Sequence, residues 1–274
     1  MLKSESRKEN FLRKVSWLRR LYEFLFRKLR GKGFGLGIFN FIHSTLWAKN
    51  LKPDFIDIHG MRIYVSRDDT ALSDTLVMEK DWEPQTTLKL KSLLKPGMTF
   101  LDIGANIGYF TVLASRLVGP NGRVFAFEPE IKNIEFLLRN LRANQCQNVV
   151  VYPYAVSSKL GYAPLYLAPN STGHSLFKDQ GHLSSPAAVV TIRLDDFFNE
   201  AAPDFIKMDI EGGEWDAFLG MEKLLSNQNL KNIIFEHNFA PKGASLDSIA
   251  EKLGQYGFKI APPLDGNNHF ASRI

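Results

Sequence analysis

TFLDIGANIGYFT, residues 99–111, runs from an unbroken apolar stretch through two glycines into a helix-forming run. The lack of polar alternation over TFLDIG (99–104) predicts a strand buried on both faces, and residues 108–118 predict the helix that follows it. Gly104 and Gly108 fall where the chain must turn sharply and approach a ligand without interference from a Cβ. The loop is not the three-glycine dinucleotide fingerprint. Asn106 occupies the middle glycine's place, and Asp102 stands two residues before the first glycine. A pyrophosphate seeks exposed amides with no carboxylate nearby, whereas a ligand bearing an ammonium and a sulfonium is drawn to Asp102.

Working outward, VFAFEP (124–129) is a second strand, and Ile131, Ile134, Leu138 and Leu141 mark a helix by their steps of 3, 4 and 3. VVVYPYAV (149–156), FIKMDI (205–210) and NIIFEHN (232–238) continue as strands, with Trp215, Phe218, Leu219 and Leu225 on a covering helix. This alternation argues for a doubly wound α/β fold, a parallel sheet with helices on both faces. Upstream, residues 54–66 read as a hairpin turning at Gly60. Residues 71–95 read as helical, with Pro84 at a helix start and Pro96-Gly97 at the stop. Residues 157–200 break the rhythm: two short strands flank a stretch from Pro169 to Pro186 rich in Gly, Ser, His and Pro, an inserted excursion of the kind that carries specificity.

Glu128 ends the second strand 24 residues after Gly104. A carboxylate there can accept both hydroxyls of a ribose lying over the sheet edge. By itself this suits NAD as well as S-adenosylmethionine; with Asp102 and Asn106 it favours S-adenosylmethionine. In DIEGGE (209–214), Asp209 and Glu211 share a face if the strand is still extended there. Two carboxylates converging on one cleft need something cationic, or a proton, between them. Glu236 and His237 end the neighbouring strand and point oppositely, so only one of them can face the cleft. Asp209, Glu211 and His237 are the expected catalytic residues, a general base for a hydroxyl acceptor coming from among them. A divalent metal is the alternative to a base, and no metal ligands are assigned. His174 and His182, in the excursion, are further candidates for orienting an acceptor, and Trp82 and Trp215 for stacking on adenine or sugar.

The chain of 274 residues carries a net charge of +5, distributed unevenly. Residues 1–32 hold 11 Lys or Arg against 3 acids, leaving 23 basic against 26 acidic residues in the rest. A nucleic-acid enzyme needs its positive field beside the site; here the body is slightly acidic, so no nucleic-acid partner is expected. Phe11, Val15, Leu18, Tyr22, Leu25 and Leu29 form a helical stripe beneath a cationic face, which suits an anionic membrane surface. Residues 33–48 lack charge but are too short for a confident span. Residues 1–50 are therefore read as a basic amphipathic helical extension, with peripheral membrane contact through residues 11–48 or packing on the domain as its roles. Residues 51–274 form the catalytic domain. The single Cys146 excludes an intrachain disulfide. A cytoplasmic location, at the inner membrane face if the helix engages it, follows from cysteine usage, cofactor supply and the basic helix. Self-association is left open.

WEP (82–84), PGMTFLDIGANIGYFT (96–111), VFAFEP (124–129), RLDDFF (193–198) and FIKMDIEGGEWDAFLGM (205–221) together resemble the FkbM-type S-adenosylmethionine-dependent methyltransferases, in that family's order and approximate spacing. The resemblance spans roughly residues 74–240. It implies a Rossmann-like class I methyltransferase fold with a seven-stranded, mostly parallel sheet whose last strand is antiparallel. It also implies methyl transfer to a hydroxyl of a sugar, glycan or secondary-metabolite acceptor. Carried over, Asp102, Gly104, Asn106, Gly108 and Glu128 hold the cofactor and Glu83 lies near its amino-acid end. Ala105 and Pro129, within the same segments, and Asp209 complete the expected cofactor set. The competing readings are an NAD-dependent oxidoreductase on the same fold and a non-catalytic, membrane-tethered binding module.

Overall fold

The computed structural model describes Leu21 and residues 51–168, 172–178, 185–198, 202–238 and 245–274. The expected basic extension over residues 1–50 lies, apart from Leu21, outside these, as does His182. A hairpin opens the described domain. β1 (Phe55–Ile58) and β2 (Met61–Tyr64) pair antiparallel across a turn at His59 and Gly60, both with positive φ. Helices α1 (Leu72–Glu79) and α2 (Pro84–Leu93) follow, Pro84 standing in the first turn of α2, where a missing N–H costs nothing.

β3 (Thr99–Ile103), α3 (Tyr109–Val118), β4 (Arg123–Phe127), α4 (Ile131–Ala143) and β5 (Val149–Tyr152) then alternate as the sequence predicts. The expected strand over 149–156 divides at Pro153, which supplies no N–H to a ladder. Its second half, β6 (Ala155–Val156), leaves the main sheet and pairs with β8 (Ala187–Ile192), which also pairs β7 (Gly161–Leu165). The excursion is thus a three-stranded sheet of its own, ending in the short helix α5 (Leu194–Phe197). β9 (Phe205–Met208), α6 (Glu214–Leu219), α7 (Glu222–Ser226), β10 (Asn232–Glu236), α8 (Leu246–Gln255), β11 (Phe258–Ile260) and β12 (Asn268–Arg273) complete the chain.

The main sheet has the order β11-β12-β10-β9-β3-β4-β5. β12 runs antiparallel to both of its neighbours, and the five strands from β10 to β5 are parallel. Strand alternation sorts side chains into two cores. Phe100, Val124, Phe205 and Ile234 face the hairpin and helices α1 to α4, whereas Leu101, Ile103, Ile206, Met208, Ile233 and Phe235 face α5 to α8. Burying each such side chain is worth roughly 1.5–3 kcal/mol. Asp102 and Lys207, register partners on adjacent strands of the first face, are polar and only 1% and 2% exposed.

Candidate active site

The C-terminal ends of β3, β4 and β9 open onto a cavity roofed by the excursion sheet. This is where open α/β sheets bind ligands. Gly104, Asn106, Glu128, Pro129, Asp209 and Glu211 line it, and the excursion contributes His174, Leu165 and Leu176. Tyr154 and Asn133, which the sequence reading did not select, line it too.

The two loop glycines are required for different reasons. Gly104 has φ +80°, and a Cβ on it would lie 1.8 Å from the Asp209 carbonyl oxygen, so the glycine lets the loops after β3 and β9 touch. Gly108 has φ +86°, and a Cβ there would meet Leu137 Cδ1 at 2.3 Å. Gly108 therefore serves the contact of α3 with α4, and neither it nor Ala105 lines the cavity.

Glu128 is 5% exposed and bound from three sides. The Asn106 N–H donates to Oε2 at 2.8 Å, and the Glu130 N–H and Asn133 Nδ2 donate to Oε1 at 3.0 and 3.3 Å. The carboxyl that the sequence aimed at a ribose thus also fastens the Gly104 loop to the start of α4. Burial pushes its pKa up to about 7, against these hydrogen bonds.

Asp102 and Glu83 do not line the cavity. Thr111 Oγ1 donates to Asp102 Oδ2 at 2.5 Å, while Asp102 Oδ1 and Glu83 Oε2 are shut off from solvent with no hydrogen-bond partner. Such orphaned acceptors are costly unless a donor or cation reaches them. Burial raises the pKa of both, that of Glu83 to about 7. Lys207 lies among Asp209, Glu83 and Asp102, with Nζ 3.0 Å from Asp209 Oδ2 and 4.8 Å from the centre of the Phe110 ring. Burial alone would lower the Lys207 pKa, but the carboxylates outweigh it and hold the ammonium charged.

Strand β9 ends at Met208 and Glu211 has φ +51°, so the extended geometry expected for Asp209 and Glu211 does not hold. A turn brings them together instead. Glu214 Oε1 accepts from the Ile210 and Gly212 N–H groups at 3.2 and 3.3 Å, fixing that turn. Ser175 Oγ donates to the Glu211 carbonyl at 2.6 Å and ties it to the excursion. The third group is Glu236: carboxylate oxygens of Asp209, Glu211 and Glu236 all lie within 4.8 Å of one another. That spacing is compatible with a divalent ion, and the Lys207 ammonium beside Asp209 offsets part of the charge.

His237 is separated from this group by strand alternation. Its ring stands 6.5 Å from that of His269, which stacks on Phe235 on the opposite face of the sheet. Burial lowers its pKa. Of the two residues ending β10, the one facing Asp209 is therefore Glu236. The overlooked signal was Lys207, a charge in the middle of the otherwise apolar strand FIKM. Trp82 and Trp215 pack against the two cores, and burial raises the Cys146 thiol.

Residues 102–260 match the methyltransferase FkbM domain, more than half of the chain. The chain belongs to the FkbM methyltransferase family. It is an S-adenosylmethionine-dependent methyltransferase, and the orphaned acceptors Asp102 Oδ1 and Glu83 Oε2, beside a cavity bordered by Glu128, suit a cofactor with a cationic end and a ribose. The methyltransferase is 33% identical over 87 residues to the ribosomal RNA large subunit methyltransferase E of Buchnera aphidicola subsp. Baizongia pistaciae, a match covering 30% of this chain and 41% of that relative's length. Among solved structures it is similar to an S-adenosylmethionine-dependent methyltransferase from Aquifex aeolicus, at 19% identity and TM-score 0.40 over 75% of this chain and 92% of that one. It is also similar to Aeropyrum pernix fibrillarin with natively bound S-adenosylmethionine, at 15% identity and TM-score 0.42 over 69% and 73%. Among the described residues, no helix of the methyltransferase is long and apolar enough to cross a membrane.

Proposed function

We propose that this methyltransferase acts on a hydroxyl oxygen of a small-molecule or glycan acceptor. The observation that carries the reading is the position of Asp209: it lines the cavity, and although burial would raise its pKa, the Lys207 ammonium holds it below the ordinary value. The cofactor, when bound, supplies a methyl group already activated on a sulfonium. What the protein must add is alignment and an acceptor for the hydroxyl proton. Asp209 is that acceptor, with Glu211 beside it, and positioned base catalysis is worth roughly 10²- to 10⁴-fold. Glu128, Asn106 and Pro129 bind the nucleoside end, and Asp102 and Glu83 attract the ammonium. The excursion, through Leu165, Leu176 and His174, closes the cavity against water.

The slight excess of acidic residues outside the first 32 argues against a polyanionic acceptor. Labelled-methyl transfer from S-adenosylmethionine to a panel of hydroxylated small molecules and glycans, with ribosomal RNA as a parallel arm, tests the reading. Base-stable methyl ether formation in the first arm is expected; transfer to RNA, or to amines alone, would overturn it. Peripheral membrane contact through residues 11–48 rests on their helical stripe and basic face. It predicts that deleting residues 1–32 abolishes sedimentation with anionic vesicles.

A further inference from the structure

Carboxylate oxygens of Asp209, Glu211 and Glu236 lie within 4.8 Å of one another, where like charges cannot all persist, so one carboxyl keeps a proton; a protonated carboxyl can donate to its neighbour, whereas an ionised one only accepts. Asp209, in contact with Lys207 Nζ at 3.0 Å, is the one held ionised. Glu236 is the one without a cation in contact. It follows Phe235, the register partner of Met208, so the parallel ladder sets it at the mouth of β9 beside Asp209. Its register partner on the antiparallel side is Asn268, which is 3% exposed. We infer that Glu236 is a positioning residue of the methyl-transfer site: as a neutral carboxylic acid it donates a hydrogen bond to Asp209 and fixes that carboxylate to receive the acceptor's proton.

The inference deepens the hydroxyl reading of the same site and rests on it for the identity of the proton. The groups facing Glu236 are Asp209 and Glu211 beyond the end of β9, Lys207 within it, and Asn268 on β12. Burial, together with the Asp209 and Glu211 charges, pushes the Glu236 pKa up to about 10, with Lys207 opposing. The pair therefore carries one negative charge and one proton before reaction. In the transfer step the acceptor O–H bond breaks as its oxygen bonds to the methyl carbon. The S–CH₃ electron pair returns to sulfur, and the released proton goes to Asp209, leaving both carboxyls neutral until solvent removes it. A Gln at position 236 keeps the donated hydrogen bond; an Ala does not.

The test uses the full chain with ¹³C-labelled glutamate carboxyls and no acceptor, with the Glu236 resonance assigned by its absence in Glu236→Gln. That resonance is expected to titrate well above the ordinary carboxylate range in wild type and to fall by at least about two pH units in Asp209→Asn. In the labelled-methyl assay, Glu236→Ala should lose roughly 30-fold or more in kcat, and Glu236→Gln should recover most of that loss. Titration of Glu236 in the ordinary range would overturn the inference. So would equal damage from Gln and Ala, or stabilisation of wild type by Mg²⁺ or Ca²⁺ that Glu236→Gln abolishes, which would make Glu236 a metal ligand. Failure of the hydroxyl reading is separable: methyl would reach another atom while the titration of the pair stayed as stated.

Discussion

The rim above β3 and β4 and the rim above β9 and β10 both present buried acids, and they satisfy them by opposite means. At the first, Glu128 is held by two backbone N–H groups and an Asn amide, all supplied by the loop and helix start that define the fold. At the second, Asp209, Glu236 and the nearby Glu83 and Asp102 gather around one ammonium, that of Lys207, with Thr111 adding a single hydrogen bond to Asp102. Backbone donors cannot leave, so the first rim keeps its shape even when Glu128 takes up a proton. The second holds its shape only while its charge is balanced. A site that binds a cofactor and then handles a proton gains from this division, because the binding half stays fixed while the charge of the reacting half changes.

Removing the ammonium is the harshest way to break that contrast. Lys207→Met keeps most of the apolar stem but leaves several buried carboxylates unpaired, and breaking a buried ion pair costs about 3–5 kcal/mol. Lys207 is held charged well above neutrality and Asp209 is ionised, so wild type has the full benefit at pH 7. In the variant the carboxylates recover by taking up protons, so the deficit should shrink as pH falls toward about 5. Urea unfolding across that range measures it. A pH-independent deficit would mean that Lys207 matters through its contact with Phe110 rather than its charge.

The two rims were unequally legible in the sequence. Gly104, Asn106, Glu128 and Pro129 sit in short segments where strand, turn and helix follow one another, so local pattern placed them at the cavity. Asp209 and Glu211 were found by motif, but through an extended geometry the chain does not adopt; the left-handed residue Glu211 and the cap by Glu214 bring them together instead. Glu236 was weighed against His237, and strand parity alone could not choose between them. The choice depends on which face of β10 looks at Asp209, a fact of register between strands about 25 residues apart in sequence. Lys207 was readable as a charge inside an apolar strand, yet its meaning required knowing that Asp102 is its partner across the ladder. The split at Pro153 and the separate excursion sheet likewise depend on pairings that no local window contains.

Gly104 is where the two rims meet, so substituting it tests whether they are mechanically joined. In Gly104→Ala the new methyl would sit 1.8 Å from the Asp209 carbonyl in a left-handed backbone, and neither loop can yield without moving the other. Overpacking and the positive φ together should cost roughly 3 kcal/mol, with cofactor binding lost by calorimetry. Gly108→Ala, also left-handed, clashes with the flexible end of Leu137 while its other neighbours stand at ordinary contact distance, and is expected to lose less stability and to retain binding. Equal effects would mean that the contact between the loops is incidental.

The smallest expected effect sharpens the contrast most, because it reads each rim's own charge. Glu83 and Glu128 both have pKa values pushed up to about 7, chiefly by burial. The free protein therefore holds protons on them at mildly acidic pH, and those protons must leave before the carboxylates can attract an ammonium or accept from ribose hydroxyls. Affinity for S-adenosylmethionine should consequently tighten as pH rises from about 5.5 to 7, by about tenfold for each group and before the ligand's own amine, with a pKa near 8, begins to lose its proton. Calorimetry at several pH values gives the slope. Glu83→Gln should remove the share belonging to the second rim and leave the share of Glu128. If the slope in that variant matched wild type, the ammonium would not be read by Glu83, and cofactor recognition would lie wholly with the rim whose acid the backbone holds.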